Sequence, residues 1–578
     1  MSDPDLSFMR ALCLGRIAED LVFPFPQMAE DQREMLGTII DSVDSLLGPL
    51  AEDFRKWDHE GEMPAEFIDQ LKEFGLFGLV IPEEYGGMAL GSAAYSRTLQ
   101  QVAYHDASVA VTIGAHSSIG MRGLLLFGTD AQKDKYMAKL ASGEMIAAFC
   151  LTEPGAGSDA ASIKTTAVKD GDEWVLNGSK LWITNGGIAD FFTVFAKTGD
   201  ATERGRLAAF IVTKDMEGVS VGPHEDKMGL RASSTTAVFL DNVRVPAENL
   251  LGPDNAGFKV AMSILNSGRT GLGGGSVGAM KRLIHESSRY AAERKQFGEP
   301  ISSFGLVKQK LGQMTIDCYV AEATVNLVAG LIDRGHEDYA IEAAISKVFA
   351  SEALWRTADE ALQIAGGNGF MREYPYERFL RDCRINRIFE GTNDVLRLFI
   401  GLTAMKDVGT ELRELADSVK SVFDDPIKGF GVMREYAWRR ASLATGIGRP
   451  NLGGLSDELR EPSVVFMRGA RSLAGAADRI LRKHGKQIIG KQFATKRLSD
   501  IMVDLFCLAA TLSRVDASIR KHGAEAAKAE IQIVEVFSAA AARRIDDNLA
   551  RIDDNEDEHI KALALHTVEA GKFDWDVI

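Results

Sequence analysis

The 578-residue sequence has little cysteine, no long apolar segment and no excess of positive charge. Its five cysteines are scattered and form no CxxC pair: Cys13, Cys150, Cys318, Cys383 and Cys507. This pattern predicts reduced thiols in a reducing compartment and argues against a disulfide framework or a cysteine-based zinc site. Because no run of about eighteen apolar residues occurs, we expect no membrane span.

The formal net charge is -16. A nucleic-acid binder needs a basic surface to displace counterions, so this charge argues against that class of protein. An anionic small ligand stays compatible, because local arginines or backbone N–H groups can hold a phosphate on an acidic protein. The first residues resemble neither a secretory signal nor a mitochondrial presequence. We therefore expect a cytoplasmic protein, with a processed organellar form as the alternative.

Changes in hydrophobic periodicity divide the chain into five parts. Apolar residues at three- and four-residue steps, such as Ile39, Ile40 and Val43, predict helices. Asn-Gly and Asp-Gly turns between short β-branched runs predict a small antiparallel β domain. The predicted fold class is α+β, mostly α. The predicted parts are an irregular lead (1–37), an N-terminal helical domain (38–147), a middle β domain (148–254), a C-terminal helical domain (255–405) with helices around 256–293, 306–334 and 338–365, and an additional helical domain (406–578).

Two glycine clusters raise the question of a dinucleotide site. A Rossmann fingerprint needs a strand, a tight turn and a helix in one βαβ unit. The cluster 155–160 leads into another extended stretch, and the cluster 271–275 follows a helical segment and precedes another. Each cluster lacks half of the required context, which argues against a nicotinamide site.

Three other segments carry groups suited to chemistry. The loop 149–159 offers backbone N–H groups, two hydroxyls and little side-chain bulk, which suits a planar heterocycle. Strand alternation places Trp182 and Thr184 on one face. Glu390 stands just before Gly391 and a predicted helix N-terminus. Taken singly, these patterns also fit a surface turn, a core tryptophan in a hairpin and a loop carboxylate before a helix cap.

Together and in this order, the segments resemble the acyl-CoA dehydrogenase family over roughly residues 40–405. The resemblance rests on TEPGAGSD at 152–159, WITNGG at 182–187, ERKQFG at 293–298, QIAGGNGF at 363–370 and FEGTND at 389–394. The family fold has an N-terminal helical domain, a central β domain and a C-terminal helical bundle. The order of elements read from periodicity agrees with it.

The resemblance implies bound FAD. The implied contacts are Phe149, Leu151, Thr152 and Ser158 from the first loop, Trp182 and Thr184 from the strand, Arg294 and Phe297 from a neighbouring subunit, Gln363, Gly366 and Gly367 near the pyrophosphate, and Thr392 and Asp394 just after the base. Sharing of the cofactor between subunits would make the protein an oligomer, and the resemblance favours a homodimer.

The resemblance also implies that Glu390 is the catalytic base. Some relatives place the base one residue before the position of Arg269, where this chain has Gly268. Glycine cannot accept a proton, which favours Glu390. Ser158, Arg269 and Gly391 are the implied contacts to the acyl-CoA, although Arg269 could instead form a structural ion pair.

Chain-length preference is predicted from the stretch 109–116. Relatives that prefer medium chains close the acyl pocket there with bulky polar side chains. Here Ala110 and Gly114 lie four residues apart on one helix face, which would leave a deep slot for a long acyl chain. Close helix packing is the alternative explanation for two small residues.

The additional domain resembles that of the very-long-chain acyl-CoA dehydrogenase branch. Arg434, Trp438, Arg439, Arg440 and Arg449 could form an interfacial membrane segment, or a solvated basic face. The acidic run 553–558 would not favour anionic lipid.

Three functions remain open from sequence. The first is dehydrogenation of long-chain acyl-CoA in fatty acid β-oxidation, with electrons passed to an electron-transferring flavoprotein. The second is an acyl-CoA oxidase that reduces oxygen. The third is a binding protein that assists assembly of a respiratory complex, although the intact Glu390 and flavin motifs favour catalysis.

Overall fold

The structure, a computed structural model, describes residues 6–199, 206–420 and 452–577. The chain divides into two compact units. The larger unit is Pro26–Val395, and the smaller unit combines Met1–Phe25 with Leu396–Ile578. The basic segment around Arg434 to Arg449 lies outside the described residues, so its predicted membrane contact remains a prediction.

The smaller unit begins with helix α1 (Phe8–Cys13), which the sequence did not predict. The Ser7 side chain caps it by accepting the Arg10 N–H, and Phe8 is only 1% exposed. Residues 1–37 were expected to be an irregular lead, and the structure corrects this. They contain α1, and the next α-helix already starts at Glu30. A helix of six residues is too short to produce a periodic signal in the sequence.

Helices form the first part of the larger unit. Asp106 accepts the Val109 N–H at 2.9 Å and so begins α6, and Thr129 and Gln132 form a capping box at the start of α8. The core includes Leu47, Leu71 and Phe77, all fully buried. The helices are α2 (Glu30–Leu47), α3 (Ala51–Glu60), α4 (Ala65–Glu73), α5 (Ser92–His105), α6 (Ala107–Gly114), a π-helical turn (Ala115–Gly120), α7 (Arg122–Phe127) and α8 (Asp130–Ser142).

An eight-stranded sheet follows, built from β1 (Ala147–Cys150), β2 (Thr166–Asp170), β3 (Glu173–Thr184), β4 (Phe191–Thr198), β5 (Arg206–Thr213), β6 (Val219–Val221), β7 (Thr235–Pro246) and β8 (Leu250–Leu251). Its order is β6-β7-β3-β2-β4-β5-β8, and β1 pairs with β4. Strand β4 runs parallel to both β1 and β2, so the sheet is mixed and not antiparallel as predicted. Asn-Gly and Asp-Gly turns in a sequence indicate only antiparallel strands that a tight turn connects. Parallel strands are separated by a longer connection, so no turn motif predicts their pairing.

The third part of the larger unit contains α9 (Gly257–Glu293), the hairpin β9 (Lys295–Gln296) and β10 (Glu299–Pro300), α10 (Gly305–Asp333), α11 (Ala340–Ala365), α12 (Tyr376–Cys383) and the start of α13 (Asn393–Ala404). The three predicted long helices match α9, α10 and α11. The glycine cluster 271–275 lies inside α9 and not before a helix.

The smaller unit continues with the rest of α13 and with α14 (Lys406–Lys420), α15 (Arg460–His484), α16 (Gln492–His522), α17 (Lys528–Ala550) and α18 (Asp557–Ala570). Apolar residues at three- and four-residue steps along α16 form a fully buried stripe, as in a core helix: Ile501, Leu505, Leu508, Leu512 and Val515.

Two stretches of the described residues are long and apolar enough to resemble membrane spans, Ala107–Phe127 and Gly305–Asp333. Their apolar windows are 61% and 67% buried inside the protein, which is the behaviour of core helices. By length and composition alone they are weak indicators of a membrane span.

Candidate active site

Glu390 and Gly391 form a left-handed turn between a 3₁₀ segment (Arg384–Arg387) and α13. Their φ angles are 55° and 87°. The Thr392 hydroxyl accepts the Val395 N–H at 3.2 Å and caps the new helix. A non-glycine residue in this backbone region costs roughly 1–2 kcal/mol, and such strain clusters at functional sites. The turn therefore holds Glu390 in a conformation that the local sequence does not favour.

The Glu390 carboxylate is buried although the residue as a whole is half-buried. Its Oε2 has no hydrogen-bond partner among the described residues. Burial raises the pKa of Glu390 above its ordinary value, while the cations Lys347 and Arg269 act in the opposite direction. A buried acceptor without a partner, in a carboxylate with a raised pKa, is suited to receive a proton.

Gly268 of α9 lies directly against this carboxylate. A Cβ built on Gly268 would stand 3.5 Å from both Glu390 carboxylate oxygens and 2.8 Å from a methyl carbon of Ile119 in the π-helical turn. The position that the resemblance implies as the base in some relatives therefore lies against Glu390, and glycine there adds no second carboxylate.

Arg269 is 5% exposed, and it donates to Asn266 Oδ1 at 2.6 Å. Burial lowers its pKa to about 10, and Glu390 and Tyr339 oppose that shift. The structure thus brings Arg269 into the electrostatic field of Glu390. Its predicted contact with acyl-CoA remains a prediction.

Ala110 and Gly114 occupy one face of α6 and are both half-buried. A Cβ built on Gly114 would meet only Leu99 Cδ1, at 3.8 Å, which is an ordinary contact. Close backbone packing would put atoms within about 3 Å of that position, so packing does not explain the glycine. Space beside Gly114 is what an acyl slot requires.

The first predicted flavin-contacting group lies on β1, β3 and the loop between β1 and β2. Leu151 is buried, Phe149 and Thr152 are half-buried, and Ser158 is exposed. Trp182 is 63% exposed with φ 57°, next to a register shift between Lys180 and Ile183. Ile183 is 2% exposed whereas Thr184 is half-buried, so the core and accessible positions alternate at the end of β3.

These surroundings fit a planar cofactor such as FAD. An exposed indole beside an accessible hydroxyl can pack against an aromatic ring system. A Cβ built on four glycines would meet nothing within 4 Å, so ligand atoms can approach their backbone closely: Gly155, Gly157, Gly366 and Gly367.

The second predicted group is spread over three other places. Arg294 follows the C-terminus of α9, and Phe297 lies at the tip of the β9–β10 hairpin, where it is 95% exposed. Gln363 lies in the last turn of α11, before the 3₁₀ segment that contains Gly366 and Gly367. The remaining two, Thr392 and Asp394, flank the start of α13.

Sequence reasoning missed a buried ion pair that joins the first loop to β3. Lys180 Nζ lies 2.7 Å from Glu153 Oε1 and also donates to the Leu151 carbonyl at 3.3 Å. Glu153 accepts further hydrogen bonds from the Thr165 N–H and hydroxyl. Burial raises the pKa of Glu153, but Lys180 and the other donors outweigh it and hold the pKa below its ordinary value.

Sequence reasoning also missed Lys347, which is fully buried in α11. It donates to the Gly391 carbonyl at 2.9 Å and to Asn393 Oδ1 at 2.8 Å. Burial lowers the pKa of Lys347 to about 7, against the opposing pull of Glu390. The one sequence signal was a lysine inside the apolar stretch 343–350 of a predicted helix.

Four family models match the chain. They are the N-terminal, middle and C-terminal domains of acyl-CoA dehydrogenase, at residues 29–144, 148–243 and 255–405, and the ACAD9/ACADV C-terminal domain at residues 457–573.

Similar proteins extend over nearly the whole chain. The very long-chain specific mitochondrial acyl-CoA dehydrogenase of Macaca fascicularis is 42% identical, covering 98% of this chain and 88% of its own length. The Homo sapiens protein of the same name is 44% identical, covering 94% and 84%. A crystal structure of an acyl-CoA dehydrogenase complexed with FAD, from Bacillus anthracis, has a TM-score of 0.80 and 34% identity and covers 94% of this chain and 91% of its own.

Proposed function

Since the chain belongs to the acyl-CoA dehydrogenase family of FAD-dependent oxidoreductases, we propose that it desaturates a long-chain fatty acyl-CoA thioester to the trans-2-enoyl-CoA. Glu390 is the base in this proposal. The observation that carries it is the buried Glu390 carboxylate, whose Oε2 has no hydrogen-bond partner among the described residues and which faces Gly268.

The α proton of a thioester is weakly acidic, so its removal needs a desolvated carboxylate at close range. Glu390 supplies that carboxylate, and its raised pKa strengthens it as a proton acceptor. The left-handed turn fixes its direction, so little reorganisation is needed when the substrate binds. FAD supplies the acceptor for the hydride that leaves the β carbon.

The residues around the cofactor would hold it from two sides. Loop 149–158 and the end of β3 offer backbone N–H groups, the Thr184 hydroxyl and the exposed Trp182 ring. The Glu153–Lys180 ion pair keeps that loop and strand together. Ser158, Arg269 and Gly391 are the proposed contacts to acyl-CoA.

A homodimer would complete the cofactor site in this proposal. The support is the Phe297 side chain, which is 95% exposed at the tip of a short hairpin. Aromatic side chains are enriched at protein–protein interfaces, so a nearly fully exposed phenylalanine is compatible with a contact to a second subunit. Together with Arg294 it would contact the FAD of a neighbouring subunit. An electron-transferring flavoprotein is the proposed electron acceptor.

A preference for long acyl chains rests on the space beside Gly114. Anaerobic titration with palmitoyl-CoA and octanoyl-CoA, followed by visible flavin absorbance, tests the proposal. We expect prompt bleaching by palmitoyl-CoA and little by octanoyl-CoA. Glu390→Gln should keep FAD and lose the bleaching. A flavin that neither thioester bleaches would overturn the proposal and favour a binding role, and rapid reoxidation by air would point to an oxidase.

The slot has its own test in Gly114→Leu. A branched side chain there should slow bleaching by palmitoyl-CoA more than bleaching by a shorter thioester. Gly312→Leu is the matched control, because its Cβ would meet nothing within 4 Å on an exposed face of α10. Equal effects of Gly114→Leu on both chain lengths would contradict the slot.

A further inference from the structure

Lys347 connects α11 to the turn that carries Glu390. Its ammonium donates to the carbonyl of Gly391, the residue that follows Glu390. It also donates to Oδ1 of Asn393, the first residue of α13. Asn393 Nδ2 in turn donates to the Ser351 hydroxyl at 3.0 Å and to Glu352 Oε1 at 3.1 Å. Hydrogen bonds thus attach the turn to α11 at Gly391 and at Asn393, on either side of Thr392.

A fully buried lysine needs compensation for its lost hydration. Two neutral oxygens provide part of it, and the charge of Glu390 provides another part, since Glu390 is the strongest influence opposing the burial effect on the Lys347 pKa. Glu352 acts in the same direction, whereas Arg269 and Arg387 repel the ammonium. A hydrophobic side chain would fill this helix position at lower cost, so the charge has a role beyond packing.

The titratable groups around Glu390 lie on three helices. Lys347 of α11 and Arg269 of α9 both favour its ionised form. Tyr95 of α5 is the third titratable group, and Glu390 contributes to raising the Tyr95 pKa. Lys347 also hydrogen-bonds the backbone of the turn.

We propose that Lys347 is a positioning residue for the base: it fixes the left-handed Glu390–Gly391 turn through the Gly391 carbonyl, and its charge favours the ionised form of Glu390. The proposal rests on the proposed function of Glu390. It predicts that neutralising Lys347 affects both the rate of α-proton removal and the pH at which that rate falls.

Lys347→Met is the main variant. We expect FAD binding and a cooperative unfolding transition to persist, while palmitoyl-CoA bleaches the flavin at least about tenfold more slowly, because the turn loses its anchor. The acid-side midpoint of the bleaching rate should rise by about one pH unit, because loss of a nearby cation raises the Glu390 pKa. Lys281→Met is the control: Lys281 is a partly buried lysine of α9 with two side-chain partners, Gln100 and Glu322, and its replacement should leave both quantities unchanged.

Lys347→Arg keeps the charge and changes the geometry, so it separates the two roles. It should slow bleaching while leaving the midpoint near that of the wild type. An unchanged rate and midpoint in Lys347→Met would overturn the proposal, as would a midpoint that shifts equally in both variants. If neither variant folds, Lys347 serves folding and not the base, which also overturns it. Failure of palmitoyl-CoA to bleach the wild-type protein would instead refute the proposed function itself.

Discussion

Glu390 combines three features that rarely occur in one carboxylate: a left-handed backbone, a buried oxygen without a hydrogen-bond partner among the described residues, and two neighbouring cations. Each alone has a structural explanation. Together they suit a proton acceptor, because burial raises the pKa of Glu390 while the cations Lys347 and Arg269 favour its ionised form.

The pH dependence of the wild-type protein follows from that balance. In the proposed function the carboxylate is the active form, and burial raises the Glu390 pKa, so activity should fall as pH decreases through a midpoint above the ordinary value for glutamate. The measurement is the anaerobic bleaching rate with palmitoyl-CoA across the acidic and neutral range. A rate that stays constant down to about pH 4 would contradict a buried, raised-pKa base.

The Glu153–Lys180 pair should control retention of FAD. Glu153→Gln leaves the fully buried Lys180 ammonium without its carboxylate, and breaking a buried pair in this way costs about 3–5 kcal/mol. The loop that follows Glu153 would loosen. We expect a lower FAD content after gel filtration and a lower thermal midpoint.

The double variant Glu153→Gln/Lys180→Met provides the control for that prediction. Glutamine still accepts from the Thr165 N–H, and the uncompensated charge is gone. The double variant should therefore be less impaired than the sum of the two single variants. Strict additivity would mean that the two side chains act independently.

At the scale of elements, the glycines of α9 form a packing seam and not a phosphate loop. A Cβ on Gly274 would stand 2.5 Å from the Ser96 carbonyl oxygen, and one on Gly278 would stand 1.9 Å from that of Gln100. Both neighbours belong to α5. The seam lets two backbones approach closely, and Gly268, on the same helix, lies against the Glu390 carboxylate.

Gly278→Ala and Gly275→Ala form a matched pair that tests the seam. The first substitution forces α5 and α9 apart and should destabilise the protein by about 1–3 kcal/mol or more. The second meets only Ala103 Cβ, at 3.7 Å, and should be neutral or slightly stabilising, because alanine favours helix. The test is the thermal unfolding midpoint of each variant. Similar midpoints for the two variants would rule out a close-packed seam.

At the scale of the whole molecule, the two ends of the chain form one unit. The Phe8 ring lies 6.3 Å from Phe466 and 6.0 Å from Phe506, and Arg10 makes two hydrogen bonds to Asp407. The Ser513 hydroxyl donates to the Val22 carbonyl. The additional helical domain therefore includes residues from the extreme N-terminal part of the sequence.

Phe8→Ala should destabilise this smaller unit by about 3–5 kcal/mol, because it removes a fully buried aromatic ring. Hydrogen exchange followed by mass spectrometry should show faster exchange in α15 and α16. Phe573→Ala is the control, since that ring is 71% exposed in the same unit. Unchanged protection of α15 and α16 in Phe8→Ala would show that α1 is dispensable for the unit.

The amino-acid sequence by itself determined the order of helical, β and helical parts, the family, the cofactor and Glu390 as the candidate base. Those features are local: helix and strand periods span a few residues, and the motifs are short contiguous strings whose chemistry can be inferred directly. The bounds of α9, α10 and α11 were close to prediction for the same reason. The flavin and substrate contacts remain predictions.

Tertiary structure alone decided the features that join distant positions. Lys347 reaches the Gly391 carbonyl, β4 takes parallel partners on β1 and β2, and α1 packs against α15 and α16. Nothing in the local pattern marks such pairs, because a buried contact depends on which surfaces meet after the chain has collapsed. The physical reason is that periodicity specifies which face of an element is apolar, whereas close packing and the pairing of buried charges select its partner.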